Sequence, residues 1–149
     1  MSISFDLDGL LIAYREEFPV EPLTRLRRFV CLERLRAGTI ALFRRLQHQG
    51  HTIGIYTTSL RSEGRIRWIF ACHGLSLGRV VNGSQSQRML RNQRVHASKY
   101  PPAFGFLFHI DDSKGVAQEA MTWTFKALII APDNSDWTEQ VWQFVQSVS

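Results

Sequence analysis

Short apolar runs that end in polar clusters alternate along this chain with stretches whose apolar residues recur at helical spacing. Residues 2–8 read as a short buried strand, and Gly9 behind it allows a tight exit with the backbone close to whatever Asp6 and Asp8 bind. Residues 14–36 mix Glu16, Glu17, Pro19, Pro22 and an Arg-rich stretch with apolar Leu23, Leu26, Phe29, Val30 and Leu32, which fits a flap or short helix better than a strand. From 37 to 49, Ile40, Ala41, Phe43 and Leu46 recur at helical spacing, Gly50 supplies a stop, and Arg44, Arg45 and His48 suit a helix C-terminus.

Residues 51–56 give a second strand, ending at Thr57-Thr58-Ser59, and Ser62 is placed to cap a helix running to His73 before Gly74. Residues 79–82 read as a short third strand, 86–92 as a short helix in a polar segment, and 104–110 as a fourth strand. A helix over 113–122, a fifth strand over 126–131 and a helix over 136–148 complete the chain. This alternation predicts an α/β fold, a Rossmann-like three-layer sandwich with a mainly parallel five-stranded sheet and right-handed crossovers. Ligands of such sheets collect outside the carboxyl ends of the strands. Three of the predicted strands end there in polar residues: Asp6 and Asp8, Thr57 and Thr58, Asp111 and Asp112.

Four carboxylates brought to one sheet edge repel one another, so such a cluster implies a compensating cation or a shared proton. Magnesium fits because it takes hard oxygen ligands and keeps waters, leaving room for a substrate phosphate. Cys31 and Cys72 are isolated in sequence and give no zinc pattern.

With 149 residues, 44% of them hydrophobic, the chain suits one domain spanning 1–149. No stretch approaches the roughly 20 apolar residues of a membrane span, and the N-terminus lacks the pattern of a signal peptide. The expected compartment is the cytoplasm, with which two cysteines outside any disulfide framework agree. The net charge of +5 is unevenly placed: between Glu63 and Asp111 there is no acid, whereas Arg65, Arg67, Arg79, Arg88, Arg91, Arg94 and Lys99 fall there. That segment is either a solvated Arg-rich surface or the footprint of an anionic partner, a phosphate or a nucleic acid.

Four stretches follow one another over nearly the whole chain: Phe5-Asp6-Leu7-Asp8-Gly9, Ile53-Gly54-Ile55-Tyr56-Thr57, Lys99-Tyr100-Pro101-Pro102, and Phe108-His109-Ile110-Asp111-Asp112-Ser113. In order they resemble the four motifs of the haloacid dehalogenase-like (HAD) superfamily of phosphohydrolases. Leu10, where the family commonly has threonine, departs from the pattern without touching the carboxylates, and Lys114 is a second candidate for the motif lysine. The resemblance implies that Asp6 is the nucleophile that forms an aspartyl-phosphate and that Asp8 is the general acid and base. It implies magnesium held by the Asp6 carboxylate, the Asp8 carbonyl and Asp111, with Asp112 ordering the outer shell or Lys99. Thr57, with Thr58 beside it, and Lys99 would bind the transferring phosphoryl oxygens. Phosphatases of the family keep the acid at position 8, and its dehalogenases lack it.

Neither residues 10–49 nor 60–98 have room for a separate cap domain, so the expected site is open, with residues 12–36 acting at most as a flap. An open site suits a phosphorylated macromolecule or nucleotide, or a small ester if another subunit of an oligomer closes the entrance. A membrane partner is not expected. His109 is expected to be packed or at the surface rather than a ligand, and Trp68, Trp123, Trp137 and Trp142 to serve packing. The competing class is a catalytically silent HAD-fold binding or regulatory module that recognises a phosphorylated or anionic partner.

Overall fold

The computed structural model describes residues 1–31 and 33–148; Leu32, one of the apolar residues noted in segment 14–36, lies outside them. Five strands, β1 (Ser2–Phe5), β2 (Thr52–Tyr56), β3 (Val80–Val81), β4 (Phe108–Asp111) and β5 (Lys126–Ile129), form one sheet in the order β3-β2-β1-β4-β5. Every pairing is parallel. Among the described residues six helices accompany it: α1 (Arg25–Val30), α2 (Thr39–His48), α3 (Glu63–Ala71), α4 (Gly83–Gln93), α5 (Lys114–Thr122) and α6 (Trp137–Val148). The fold is α/β and Rossmann-like in its three layers.

Strand alternation sorts the core. Ile3, Phe5, Ile53, Ile55, Phe108 and Ile110 point to one face, where they pack with Leu42, Phe43 and Leu46 of α2, Ile66, Ile69 and Phe70 of α3, and Trp137, Val141 and Val145 of α6. The opposite face carries Tyr56 and Val81 under Phe104 and Phe106. It also carries a polar row, because β1 and β4 pair with Ser4 opposite His109. Gly54 leaves space on this face: a Cβ there would strike the Phe106 ring and the Arg79 carbonyl.

Most elements lie within a residue or two of their expected bounds, and three differ by more. Strand β1 stops at Phe5 rather than at residue 8, because the chain turns there and the Leu7 carbonyl accepts from Leu11 N and Ile12 N. Residues 104–107 are not strand; Pro101–Phe104 forms a 3₁₀ turn and Gly105 takes φ +77°, which folds Phe104 and Phe106 back over Tyr56. Helix α4 starts at Gly83 rather than 86, because Asn82 and Gln85 cap it reciprocally through each other's backbone N–H groups. Of the tryptophans expected to pack, Trp137 is buried, whereas Trp68 is exposed.

Segment 12–36 is anchored rather than loose. Phe18, Leu23 and Leu35 are buried, and Arg36 is buried with Nη2 donating to the carbonyls of Pro132 (2.9 Å) and Asn134 (2.8 Å). The Arg36 guanidinium also lies over the rings of Phe18 and Trp137, 4.5 and 5.0 Å from their centroids. Its only helix is α1, six residues long, so this part of the chain holds no second folded unit among the described residues. No described helix is long and apolar enough to cross a membrane.

Candidate active site

The chain leaves β1 toward β2 on one side and returns to β4 on the other, so the crevice between the carboxyl ends of β1 and β4 is the switch point of the sheet. Asp6 and Asp111 stand there. The Asp6 N–H donates to the Ile110 carbonyl (2.8 Å), which extends the β1–β4 ladder by one residue and sets the two aspartates side by side. Asp112 joins them, and one carboxylate oxygen from each of Asp6, Asp111 and Asp112 lies within 4.8 Å of the other two.

Lys99 enters this cluster from the loop before the 3₁₀ turn. It is 3% exposed, with Nζ 2.7 Å from Asp6 Oδ1 and 2.7 Å from Asp111 Oδ2. The contact with Asp111 is an aligned hydrogen bond. The one with Asp6 is an ion pair without that alignment, and Oδ1 is buried with no hydrogen-bond donor. The loop is fixed on both sides of Lys99. Glu119 of α5 accepts from Ser98 N (2.7 Å), Ser98 Oγ (2.8 Å) and Lys99 N (3.3 Å). On the other side Tyr100 N donates to Tyr56 Oη (3.0 Å), which lies 2.7 Å from Ser86 Oγ. Lys114, by contrast, is exposed at the start of α5.

A row of buried polar groups continues under the cluster. His109 Nε2 is 2.8 Å from Asp111 Oδ2, and Nδ1 is 2.9 Å from Ser4 Oγ. Burial, followed by the Lys99 charge, keeps the His109 pKa below its ordinary value, so the ring is neutral and donates from Nε2 to the carboxylate. Nδ1 is then the acceptor for the Ser4 hydroxyl. Asp111 Oδ1 accepts from Ser113 N (2.8 Å). Burial alone would push Asp111 up, but the His109 hydrogen bond and the Lys99 charge outweigh it and hold the carboxyl below its usual range. Asp6 is raised, chiefly by burial and then by the Asp111 charge against the opposing pull of Lys99. Asp112 is raised by burial and by Asp111. Lys99 is raised because the charges of Asp6 and Asp111 exceed the opposing effect of burial.

Gly9 has φ +90°, and a Cβ on it would run into Asp112 Oδ2, so the turn after β1 brings bare backbone against that carboxylate. Asp8 takes a different partner: its Oδ2 accepts from Arg61 Nη1 (2.6 Å). Arg61 is also held by Glu33 Oε1 through Nη2 (2.7 Å) and by Ser59 Oγ (2.9 Å). Thr57 is buried at the end of β2, with Oγ1 accepting from Ser59 N (3.1 Å), whereas Thr58 is exposed and its carbonyl abuts Gly83.

The structure thus brings Asp6, Asp111, Asp112 and Lys99 into one cluster, ties Asp8 to Arg61, and sets Thr57 at the adjacent strand end. His109, expected to be packed or at the surface, is buried; its bond to Asp111 was not foreseen, although the two-residue spacing on one strand face was an available signal. Arg61, Glu33 and Glu119 carried no comparable mark. A cavity of about 650 Å³ beside β3, lined by Arg67, Arg79, Arg88 and Phe104 among others, shares no residue with the cluster. The donor set suits a hard divalent cation: its ligands are all carboxylate oxygens, and Asp6 Oδ1 has accepting capacity to spare. No protein-family model matches the chain, and no curated protein is significantly similar to it.

Proposed function

We propose that the chain is a magnesium-dependent phosphohydrolase that acts on phosphoric monoesters through an aspartyl-phosphate. The observation that carries this reading is Lys99 Nζ, buried and 2.7 Å from both Asp6 Oδ1 and Asp111 Oδ2, beside a third carboxylate. Four groups with this arrangement surround one point at the switch of a parallel sheet, where a phosphoryl group meets positive charge and a carboxylate nucleophile together.

In the proposed reaction an Asp6 carboxylate oxygen attacks phosphorus and the ester P–O bond breaks. Lys99 and the Thr57 hydroxyl bind the equatorial oxygens of the transferring group. Asp8, once it has parted from Arg61 and taken a proton from solvent, gives that proton to the leaving oxygen. Water then attacks the phosphorus of aspartyl-phosphate, Asp8 takes the proton, and inorganic phosphate leaves with Asp6 restored. Magnesium, held by Asp6, Asp111 and Asp112 with the Asp8 carbonyl, would neutralise the reacting anions when bound.

Hydrolysis of a generic aryl phosphate is the direct assay. Turnover that rises with magnesium and is abolished in Asp6→Asn is expected; no hydrolysis at any magnesium concentration, or equal rates for parent and variant, overturns the reading. The 2.6 Å pair of Asp8 with Arg61 favours one second reading, a module that binds a phosphorylated partner without turnover. Magnesium-dependent binding of a phosphate ester with no release of phosphate would select it.

A further inference from the structure

The outer surface of α1 and the neighbouring side of α3 carry apolar and cationic groups that the fold leaves to solvent, while Glu16 and Glu17 are exposed earlier in the same segment. Helix α1 exposes Leu26, Phe29 and Val30, with Phe29 88% exposed. No acid occurs between Glu21 and Glu33, whereas Arg25, Arg27 and Arg28 do, and among the described residues no carboxylate pairs with these three. Trp68 of α3 is 55% exposed, and its Nε1 donates to the Val30 carbonyl (3.4 Å), tying α3 to the end of α1. Between them lies a cleft of about 270 Å³ lined by Val30, Glu33, Arg65 and Trp68 among others.

A chain of ion pairs leads from this surface to Asp8. Arg65 Nε is 3.7 Å from Glu33 Oε2, Glu33 Oε1 holds Arg61, and Arg61 holds Asp8. At the other rim Tyr14 is 72% exposed and packs over Gly9, close enough to feel the charges of Asp6, Asp112 and Asp8.

Flat rings interleaved with guanidinium groups match one kind of polyanion best. Bases of a single strand stack on ring faces while arginines neutralise its phosphates, and both interactions tolerate any sequence. A six-residue helix with three exposed apolar side chains is a poor membrane anchor, for which a longer amphipathic face is needed. A twofold contact with a second copy would bring two arginine-rich patches of like charge together. We propose that this face seats a single-stranded polynucleotide, and that a terminal phosphomonoester of the strand is the substrate of the adjoining site. The second half rests on the phosphohydrolase reading: the terminal P–O ester bond breaks, its oxygen leaves as a strand hydroxyl with the Asp8 proton, and water supplies the oxygen of inorganic phosphate.

Fluorescence anisotropy with a fluorescein-labelled oligothymidylate of about ten nucleotides, with and without a terminal phosphate, tests both halves. With Arg25, Arg27, Arg28 and Arg65 each meeting a phosphate, the log–log salt slope of binding is expected near roughly −3. Phe29→Ala and Trp68→Ala, exposed positions whose folding is checked by circular dichroism, are each expected to weaken binding about tenfold. Absence of binding at low salt, binding indifferent to both ring variants, or retention on phosphatidylglycerol vesicles without oligonucleotide binding overturns the docking surface. If the strand binds and an aryl phosphate is hydrolysed but the terminal phosphate is never released, the substrate assignment fails and the phosphohydrolase reading stands. If the strand binds and no ester is hydrolysed, the surface stands and the phosphohydrolase reading fails.

Discussion

Replacing Lys99 with methionine keeps an unbranched side chain only one atom shorter and removes its charge, leaving Asp6 and Asp111 facing each other in the interior. Removing one partner of a buried ion pair costs about 3–5 kcal/mol, most of it the burden of the uncompensated charge left behind. Asp111 keeps its bonds from His109 and Ser113, so the burden falls on Asp6, whose pKa is already raised by burial and loses the only strong pull in the other direction. Asp6 in Lys99→Met therefore takes up a proton in the folded state at pH values where the unfolded chain has released it. A folded state that binds more protons loses stability as pH rises from the unfolded carboxyl range, near about 4, through the raised folded pKa. The deficit of the variant is thus expected to be smallest near pH 4 and to reach about 3 kcal/mol at pH 8, a fall in Tm of roughly 10 °C. Urea denaturation followed by tryptophan fluorescence at several pH values measures it. In an Asp6→Asn background the same substitution should cost less and lose most of its pH dependence. A deficit below about 1 kcal/mol at pH 8, or the same deficit in both backgrounds, would refute the assignment of Lys99 as the shared counterion.

Gly9→Ala combines a left-handed φ with a Cβ in the place of Asp112 Oδ2, so it is expected to destabilise by about 2 kcal/mol and to abolish any rise in Tm caused by magnesium; thermal scans with and without the metal check both. Tyr56→Phe removes the acceptor of Tyr100 N and the partner of Ser86, with an expected loss of about 1–3 kcal/mol and faster amide exchange at Tyr100. The Cys72 thiol is pushed up to about 11 by burial and then by the neighbouring Cys31, so at pH 8 iodoacetamide should alkylate it roughly a hundredfold more slowly than a free peptide thiol, with the rate climbing until near pH 11; peptide mapping by mass spectrometry reads this directly.

The sheet was legible because each buried strand is an apolar run closed by a polar group that has no place in the core. That same pattern marked Asp6 and Asp111 before any neighbour was known. Residues 104–107 misled for the opposite reason: Phe104, Phe106 and Leu107 read as strand, but Pro101 and Pro102 start a tight turn and Gly105 sustains it. The space that Phe106 fills exists only because Gly54 lies on another strand, a relation no local pattern contains. The start of α4 could have been read, since Asn82 and Gln85 stand at capping-box spacing. Arg61 and Glu33 could not, because their meeting depends on how a segment without regular period crosses the sheet edge. Lys99 could be preferred over Lys114 on spacing, yet its burial depends on Glu119 and Tyr56, contributed from elements on either side of it in sequence.

Arg36 carries a consequence for how the chain is completed. Its guanidinium is received by carbonyls of residues 132 and 134, almost a hundred positions later. A nascent polypeptide emerging from the ribosome presents this cation long before those acceptors exist, and a fragment ending before them leaves it nowhere to go but water. Seating of the Arg36 end of this strap therefore waits until residues 132–134 have been made, which places it after the four strands that precede them and the fifth at 126–129 have left the ribosome.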